Sequence, residues 1–165
     1  RVRPGGILQI NVTQRMPVAV FRAPEGLKLI DREGVLIQNI MTRADRSDLP
    51  LITGDGARDH LAEGLEIYGV AGPLAPRMRG VVRMGERRWD VILESGQRVL
   101  LPTVDPVQAF RRVVALDQAQ DLLERDVTVV DMRHAARPTI RLTPAAVTNL
   151  RQTAAREESA PKVQE

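Results

Sequence analysis

Residues 127 to 142 read VTVVDMRHAARPTIRL, and this stretch decides how we interpret the rest of the chain. β-Branched residues are frequent in it, and small residues with Pro138 interrupt it once, which predicts two strands joined by a turn. A helix start and a polar segment follow, so we expect these strands at the C-terminal border of a sheet. A border strand leaves one row of backbone N–H and C=O groups unpaired, and a partner chain can pair with that row.

Further predicted strands precede this border, and we expect consecutive ones to pair as a meander. Turns rich in Gly and Pro separate short apolar segments, and Gly85-Glu86 and Ser95-Gly96 are suited to tight hairpins. The predicted strands are residues 7–12, 17–21, 27–30, 35–37, 79–84, 87–93 and 98–101. Apolar and charged residues alternate from Arg88 to Glu94, which predicts that Trp89 faces the core and that Asp90 lies on a largely solvent-exposed face.

Helical spacing of apolar residues marks the segments between and after these strands. Asp105 and Thr143 each precede a proline, a pattern typical of a helix N-cap followed by proline at the first helical position. The predicted helices are residues 57–68, 106–116, 118–124 and 144–155. Residues 43 to 56 are rich in Asp, Arg, Ser and Gly and are predicted to be a surface loop held at its apolar middle. The pattern predicts an α+β fold with a mainly antiparallel β-sheet and helices packed on one face.

Composition limits the class of protein. The 165 residues carry 24 basic and 21 acidic side chains, a net charge of +3, so charge alone points only weakly to nucleic acid. The chain has no cysteine, which is compatible with an oxidising compartment. No run of 18 apolar residues is present, so we expect no membrane span within this sequence. Because the first residue is Arg1 rather than Met, we expect the chain to be part of a longer protein.

Two small groups of polar residues could carry chemistry. Asp55, Asp59 and His60 could begin a metal site, but turn formation and helix N-terminal charge are the favoured explanation. Asp131 and His134 could transfer a proton, although alternation along a strand places Asp131 with Arg133 and turns His134 to the other side. With only two histidines in the chain, sites that need several imidazoles are excluded. An enzyme built on either group is the weakest of the hypotheses.

Five arginines are distributed along the second group of predicted strands and could form a basic ribbon. They are Arg77, Arg79, Arg83, Arg87 and Arg88. Such a ribbon could bind nucleic-acid phosphates, but no aromatic side chains are interleaved for base stacking. The simpler interpretation is the solvated face of a sheet. A nucleic-acid-binding β domain that uses residues 77–88 therefore stays as the alternative function.

Six short motifs occur in order between residues 14 and 133, within a resemblance to a known family that covers about Leu8 to Leu142. They are QRMPVA at 14–19, LIDREGV at 29–35, LP at 49–50 followed by Gly54, RRWDV at 87–91, VLLP at 99–102 and VDMR at 130–133. This series resembles the FtsQ/DivIB family of bacterial cell-division proteins. His134 stands where well-known members have an aromatic residue, and Ala136-Arg137 replaces a pair of small residues.

The resemblance implies a domain organisation and a location. Members are inner-membrane proteins with one membrane helix, a POTRA domain and a β domain on the outer side of the membrane. The resemblance therefore implies that residues 1–15 hold the last strand of a POTRA domain, 16–150 the β domain and 151–165 a flexible polar tail. It also implies a periplasmic position for this part, at the division septum, with the membrane anchor upstream of this chain.

The resemblance also implies a function without catalysis. The protein would be a divisome scaffold with no cofactor that binds the division proteins FtsB and FtsL and links early and late division proteins. A segment of FtsB would add a strand to the edge near the C-terminus, and an arginine before Trp89 would add a charge contact. The implied partner-binding residues are Arg87, Arg88, His134, Ala135, Ala136, Arg137, Thr139, Ile140, Arg141 and Leu142.

Overall fold

A computed structural model describes residues 2–3, 7–8, 14–134 and 137–159, with side chains for residues 14–134 and 137–153. The strands are β1 (Val2–Arg3), β2 (Ile7–Leu8), β3 (Pro17–Ala23), β4 (Gly26–Asp31), β5 (Leu36–Ile40), β6 (Leu51–Gly54), β7 (Met78–Met84), β8 (Arg88–Leu93), β9 (Arg98–Leu100), β10 (Val127–Asp131) and β11 (Thr139–Leu142). The helices are α1 (Leu61–Gly69), α2 (Pro106–Gln120) and α3 (Pro144–Ser159), and short 3-10 turns lie at Arg43–Arg46, Gly72–Arg77 and Leu122–Glu124.

Nine of the described strands form one sheet in the order β11-β10-β9-β8-β7-β6-β3-β4-β5. Most neighbours are antiparallel, and the parallel pairs are β3 with β6, β6 with β7 and β9 with β10. β1 and β2 pair only with each other in a separate two-stranded sheet. The predicted α+β class with a mainly antiparallel sheet is confirmed. The predicted strand at 7–12 is described only at Ile7–Leu8.

The main core lies between the sheet and the helices α1 and α2. Phe110 from α2 and Ile67 from α1 are fully buried, and both belong to the cluster that includes Trp89 and Val91 from β8. Burying such side chains supplies most of the favourable free energy of folding. We call the side of the sheet that carries α1 and α2 the helix face and the opposite side the open face.

The predicted surface loop at 43–56 is wrong at its C-terminal end. Residues 51–54 form the strand β6, which lies inside the sheet between β3 and β7 and parallel to both. The preceding residues do form a loop, and they fold over the open face, where Leu49 packs on a small buried cluster of Val20, Leu29 and Leu51. A four-residue strand has too few residues for a periodicity signal.

Helix boundaries differ from the prediction in α1, α2 and α3. α1 begins at Leu61, four residues after the predicted start at 57. α2 continues to Gln120, so the separate helix predicted at 118–124 is wrong, and Asp105 makes no side-chain cap hydrogen bond. The cap at Thr143 is confirmed, because its Oγ1 accepts a hydrogen bond from Ala146 N at 3.2 Å. α3 extends to Ser159, four residues beyond the predicted end. The domain boundaries after residues 15 and 150 stay predictions, and residues 160–165 lie outside the described ones.

A polar cluster joins α1 to the hairpin of β7 and β8. Trp89 Nε1 donates a hydrogen bond to Glu63 Oε2 at 2.7 Å, and Arg83 Nη1 donates to the same oxygen at 3.2 Å. The Arg83 guanidinium also lies over the Trp89 ring, 5.2 Å from its centroid. Arg83 is buried, and these partners offset the unfavourable free energy of removing its charge from water.

We expect Trp89→Phe to lower the free energy of unfolding by about 2 kcal/mol, because it removes the indole donor and leaves a small cavity. Chemical denaturation of the purified domain measures this loss. A double-mutant cycle with Glu63→Ala isolates the hydrogen bond from the cavity. If the two single changes were strictly additive, the contact between Trp89 and Glu63 would contribute nothing to stability.

Candidate functional site

Strand β11 is an edge of the nine-stranded sheet, as the sequence predicted. It pairs with β10 on one side, and no described strand pairs with its other side. Thr139, Ile140 and Arg141 are exposed, and Ile140 as a whole residue keeps 49% of its surface accessible although α3 follows directly. The terminal helix therefore does not cover this edge within the described residues.

The hydrogen bonds between β10 and β11 show which backbone groups point outward. Thr143 N donates to Asp126 O at 2.8 Å, and Thr128 Oγ1 donates to Arg141 O at 3.1 Å. Residues 141 and 143 thus direct their backbone groups toward β10. Because successive residues of an antiparallel strand face opposite ways, the N–H and C=O groups of Ile140 and Leu142 point away from the sheet.

Strand β10 fixes the position of this edge. Val127, Val130 and Met132 are buried in the main core, and Met132 N donates to Leu100 O at 2.8 Å, which extends the parallel ladder with β9. Gln97 Nε2 also donates to Val127 O at 3.0 Å. The edge strand is therefore held on a rigid support.

A polar network closes the turn that leads into β10. Asp117 is buried in the last turns of α2, where its Oδ1 accepts from Leu123 N at 2.6 Å. Arg77 reaches Asp117 Oδ2 at 3.4 Å and Glu124 Oε1 at 2.9 Å. These contacts satisfy a buried carboxylate and fix the start of β10.

A groove of about 490 Å³ crosses the open face beside β11. Its floor includes Leu100 and Val129, and one wall is formed by β11 itself. The charged groups lining it are four arginines and two aspartates, namely Arg88, Arg98, Arg133, Arg141, Asp90 and Asp131. The groove therefore carries an excess of positive charge next to the free edge.

The prediction that Asp90 lies on a largely solvent-exposed face is wrong. Its side chain is only 1% exposed, because Arg98 Nη2 lies 2.6 Å from one carboxylate oxygen and Arg88 Nε lies 3.9 Å from the other. Asp90 Oδ1 and the Nε atoms of Arg88 and Arg98 are buried without a hydrogen-bond partner in the described part of the chain. Sequence reasoning missed Arg98, although a hairpin centred on Ser95-Gly96 places it diagonally across from Asp90.

Asp131 and Arg133 share a side, as alternation predicted. Arg133 Nε donates to Asp131 Oδ1 at 2.9 Å, and the backbone N of Arg133 donates to the same oxygen at 3.0 Å. The hydrogen bonds from the Arg133 side chain hold the pKa of Asp131 below its usual value. Asp131 is therefore ionised at neutral pH, and its lowered pKa makes it a weak proton acceptor, which does not favour a role as general base.

The remaining predicted partner-binding residues surround this edge. Arg87 is exposed in the hairpin between β7 and β8, and Arg88 lines the groove. His134 and Arg137 are exposed in the turn that leads into β11. Ala135 and Ala136 lie outside the described residues. The structure thus brings Arg88 and the β11 residues to one surface, while their roles in binding stay predictions.

The group of Asp55, Asp59 and His60 is exposed in the loop before α1. Over residues 14–134 and 137–153, no set of three or more His, Cys, Asp or Glu side chains is close enough to hold a metal ion. No helix in the described part of the chain is long and apolar enough to cross a membrane.

The five arginines between 77 and 88 do not form one ribbon. Arg83 is buried on the helix face with Glu63, Arg88 lies on the open face over Asp90, and Arg77 pairs with Asp117 and Glu124. Only Arg79 and Arg87 among the five are exposed. The predicted solvated basic face is wrong for Arg83, and a continuous track for a phosphate backbone is lost with it.

The sequence of this chain is similar to those of known cell division proteins. A family model described as "Cell division protein FtsQ/DivIB, C-terminal" matches residues 19–133. A relative named Cell division protein FtsQ from Roseobacter litoralis is 53% identical over 142 residues, covering 86% of this chain and 48% of the relative. Relatives of the same name from Ketogulonicigenium vulgare and Paracoccus denitrificans are 53% and 44% identical, covering 89% and 98% of this chain and 49% and 47% of their own lengths.

The fold and the site define a sheet domain whose edge strand β11 is unpaired on one side among the described residues and lies beside a charged groove. The matched residues run from β3 to just past β10 and so contain most of this sheet. The chain belongs to the FtsQ/DivIB family of cell division proteins. It spans about half the length of the curated relatives it matches.

Proposed function

We propose that this chain is the β domain of a non-catalytic division scaffold and that it binds a segment of FtsB, or of FtsL, by strand addition to β11. The observation that carries this proposal is the outward direction of the Ile140 and Leu142 backbone groups in an exposed edge strand. An added strand pairs with those groups and extends the nine-stranded sheet. Pairing through backbone groups tolerates side-chain changes, and so it tolerates the differences from well-known family members at His134 and Ala136-Arg137.

The groove supports the same site by its charge. The groove lies on the open face between β8 and β11 and is lined by four arginines and two aspartates, so acidic or amide side chains that reach into it from a chain docked along β11 are favoured. Arg88 offers the charge contact expected before Trp89, because it lines the groove while Arg87 does not.

The proposed setting is the periplasmic side of the inner membrane at the division septum. The support is membership of a division-protein family in which the matched relatives are about twice as long as this chain. We propose that a membrane anchor and a POTRA domain belong to the remaining part. In this arrangement the β domain holds membrane-anchored partners near the septum and links early to late division proteins.

Affinity purification of the full-length protein from native membranes tests the proposal. We expect FtsB and FtsL to be retained in near-stoichiometric amounts, as identified by mass spectrometry. The edge variant Ile140→Pro should lose both proteins. Its matched control is Arg79→Ala, which changes an exposed residue that does not line the groove and should retain them. If neither division protein were enriched over an untagged strain, the scaffold role proposed for this edge would be refuted.

A further inference from the structure

A buried carboxylate lies where the chain enters the nine-stranded sheet. Asp31, the last residue of β4, is only 2% exposed, and its Oδ1 accepts a hydrogen bond from Val35 N at 2.7 Å. The other oxygen pairs with the guanidinium of Arg15, which is two residues before β3. The Arg15 side chain remains 49% exposed, so packing in the core does not explain its position.

The turn after β4 closes without help from Arg15. Asp31 N donates to Val35 O at 3.0 Å, and Gly34 N donates to Asp31 O at 3.1 Å. Gly34 has φ of +79°, a conformation that glycine adopts at no steric cost. The backbone and Val35 thus account for the turn, and the pairing of Arg15 with Asp31 must be explained separately.

The backbone ladder is weak at this point of the sheet. Pro17 is the first residue of β3 and lies opposite Asp31, but proline has no N–H to donate. The register also shifts between Pro17 and Ala19. The proline restricts Met16 to an extended conformation. The described hydrogen bonds of residues 14–16 contain one contact with the rest of the domain, from Arg15 to Asp31.

The charge of Asp31 links this contact to the fold. Burial alone would raise the pKa of Asp31, but hydrogen bonds from Val35 and Arg15 and the Arg15 charge outweigh it, so that its pKa lies below the usual value. Asp31 is therefore ionised at neutral pH. Moving Arg15 away would leave a buried carboxylate without its counter-ion, which is unfavourable.

We propose that the Arg15–Asp31 pair is an orientation lock that fixes the direction in which the chain N-terminal to Gln14 leaves the nine-stranded sheet. The lock is independent of strand addition at β11, because β4 lies next to the opposite edge of the sheet. Any domain attached upstream is then held at a set angle to the β domain. The partner docked at β11 is consequently presented in a fixed direction relative to that domain.

Distances between spin labels in the full-length protein test the lock. This sequence has no cysteine, so Arg3→Cys in β1 and Arg79→Cys in β7 provide two labels, with any cysteine elsewhere replaced by serine. We expect one narrow distance distribution for the parent protein. In Arg15→Gln we expect its width to increase at least about twofold, since the counter-ion of Asp31 is lost.

Matched variants separate orientation from folding. Arg32→Gln removes a neighbouring exposed arginine of the same turn and should leave the distribution narrow. Asp31→Asn keeps an acceptor for Val35 N but removes the charge, and it should broaden the distribution as Arg15→Gln does. Unchanged circular dichroism shows that the sheet is intact in each variant. A broad distribution in the parent, or an unchanged width in Arg15→Gln, would overturn the proposal.

Discussion

Ile140→Pro is expected to weaken strand addition at β11 by about 100-fold or more while the nine-stranded sheet stays folded. The change removes an N–H that points away from β10, and the proline ring occupies space that an added strand needs. Loss of a central backbone hydrogen bond, together with this steric conflict, costs about 3 kcal/mol, which corresponds to roughly 100-fold in affinity. Calorimetric titration with a peptide of the retained division protein measures the loss.

Two further variants test whether the loss of affinity comes from the outward-facing N–H of Ile140. Ile140→Ala keeps the N–H and removes only an apolar contact, so we expect a loss of affinity below about tenfold. Arg141→Pro removes an N–H that faces β10 and is expected to lower the melting temperature, which Ile140→Pro should leave within a few degrees of the parent. Binding of Ile140→Pro with parental affinity would show that the partner docks elsewhere.

Thr139 illustrates why the structure was needed to choose this position. From sequence, both Thr139 and Ile140 belong to the border strand, and either could be the blocking site. Arg141 O faces β10, and Thr139 lies two residues before it on the same strand, so the backbone groups of Thr139 also face β10. A proline at 139 would therefore damage the sheet as well as the edge.

The hairpins of the C-terminal half could be predicted because their signals are local. Turn residues at Gly85-Glu86 and Ser95-Gly96 fixed the ends of β7, β8 and β9, and alternation placed Trp89 in the core. The border position of β11 followed from its place after the last predicted strands. These elements are set by contacts between neighbours in sequence.

Features that depend on distant contacts could not be predicted. β6 becomes a strand only because β3 and β7 lie on its two sides, at sequence distances that a local pattern does not encode. Arg83 looks like a surface arginine in sequence, yet Glu63 of α1 and the Trp89 ring make its burial possible. Asp90 is a different case, because the arginines that cover it, Arg88 and Arg98, are close in sequence and the hairpin at Ser95-Gly96 already places Arg98 near it.

Gly54→Ala is expected to be the most damaging single change for stability, with a loss above about 4 kcal/mol. Gly54 has φ of +104°, which L side chains rarely adopt, and a Cβ there would lie 2.1 Å from the backbone O of Arg83 and 2.8 Å from its N. The two residues are paired in the parallel ladder of β6 and β7. Arg83 cannot easily move, because Glu63 and the backbone O of Glu86 hold its side chain.

Two other glycines separate the causes of this loss. Gly26 has φ of +133° but no heavy atom within 4 Å of an added Cβ, so Gly26→Ala should cost only backbone strain of about 1–3 kcal/mol. Gly69 ends α1 with no positive φ and no such neighbour, so Gly69→Ala should stabilise the domain by up to about 1 kcal/mol. Urea denaturation of the three variants measures this order. Equal losses for Gly54→Ala and Gly26→Ala would mean that the close approach of β6 to β7 is not what requires glycine at position 54.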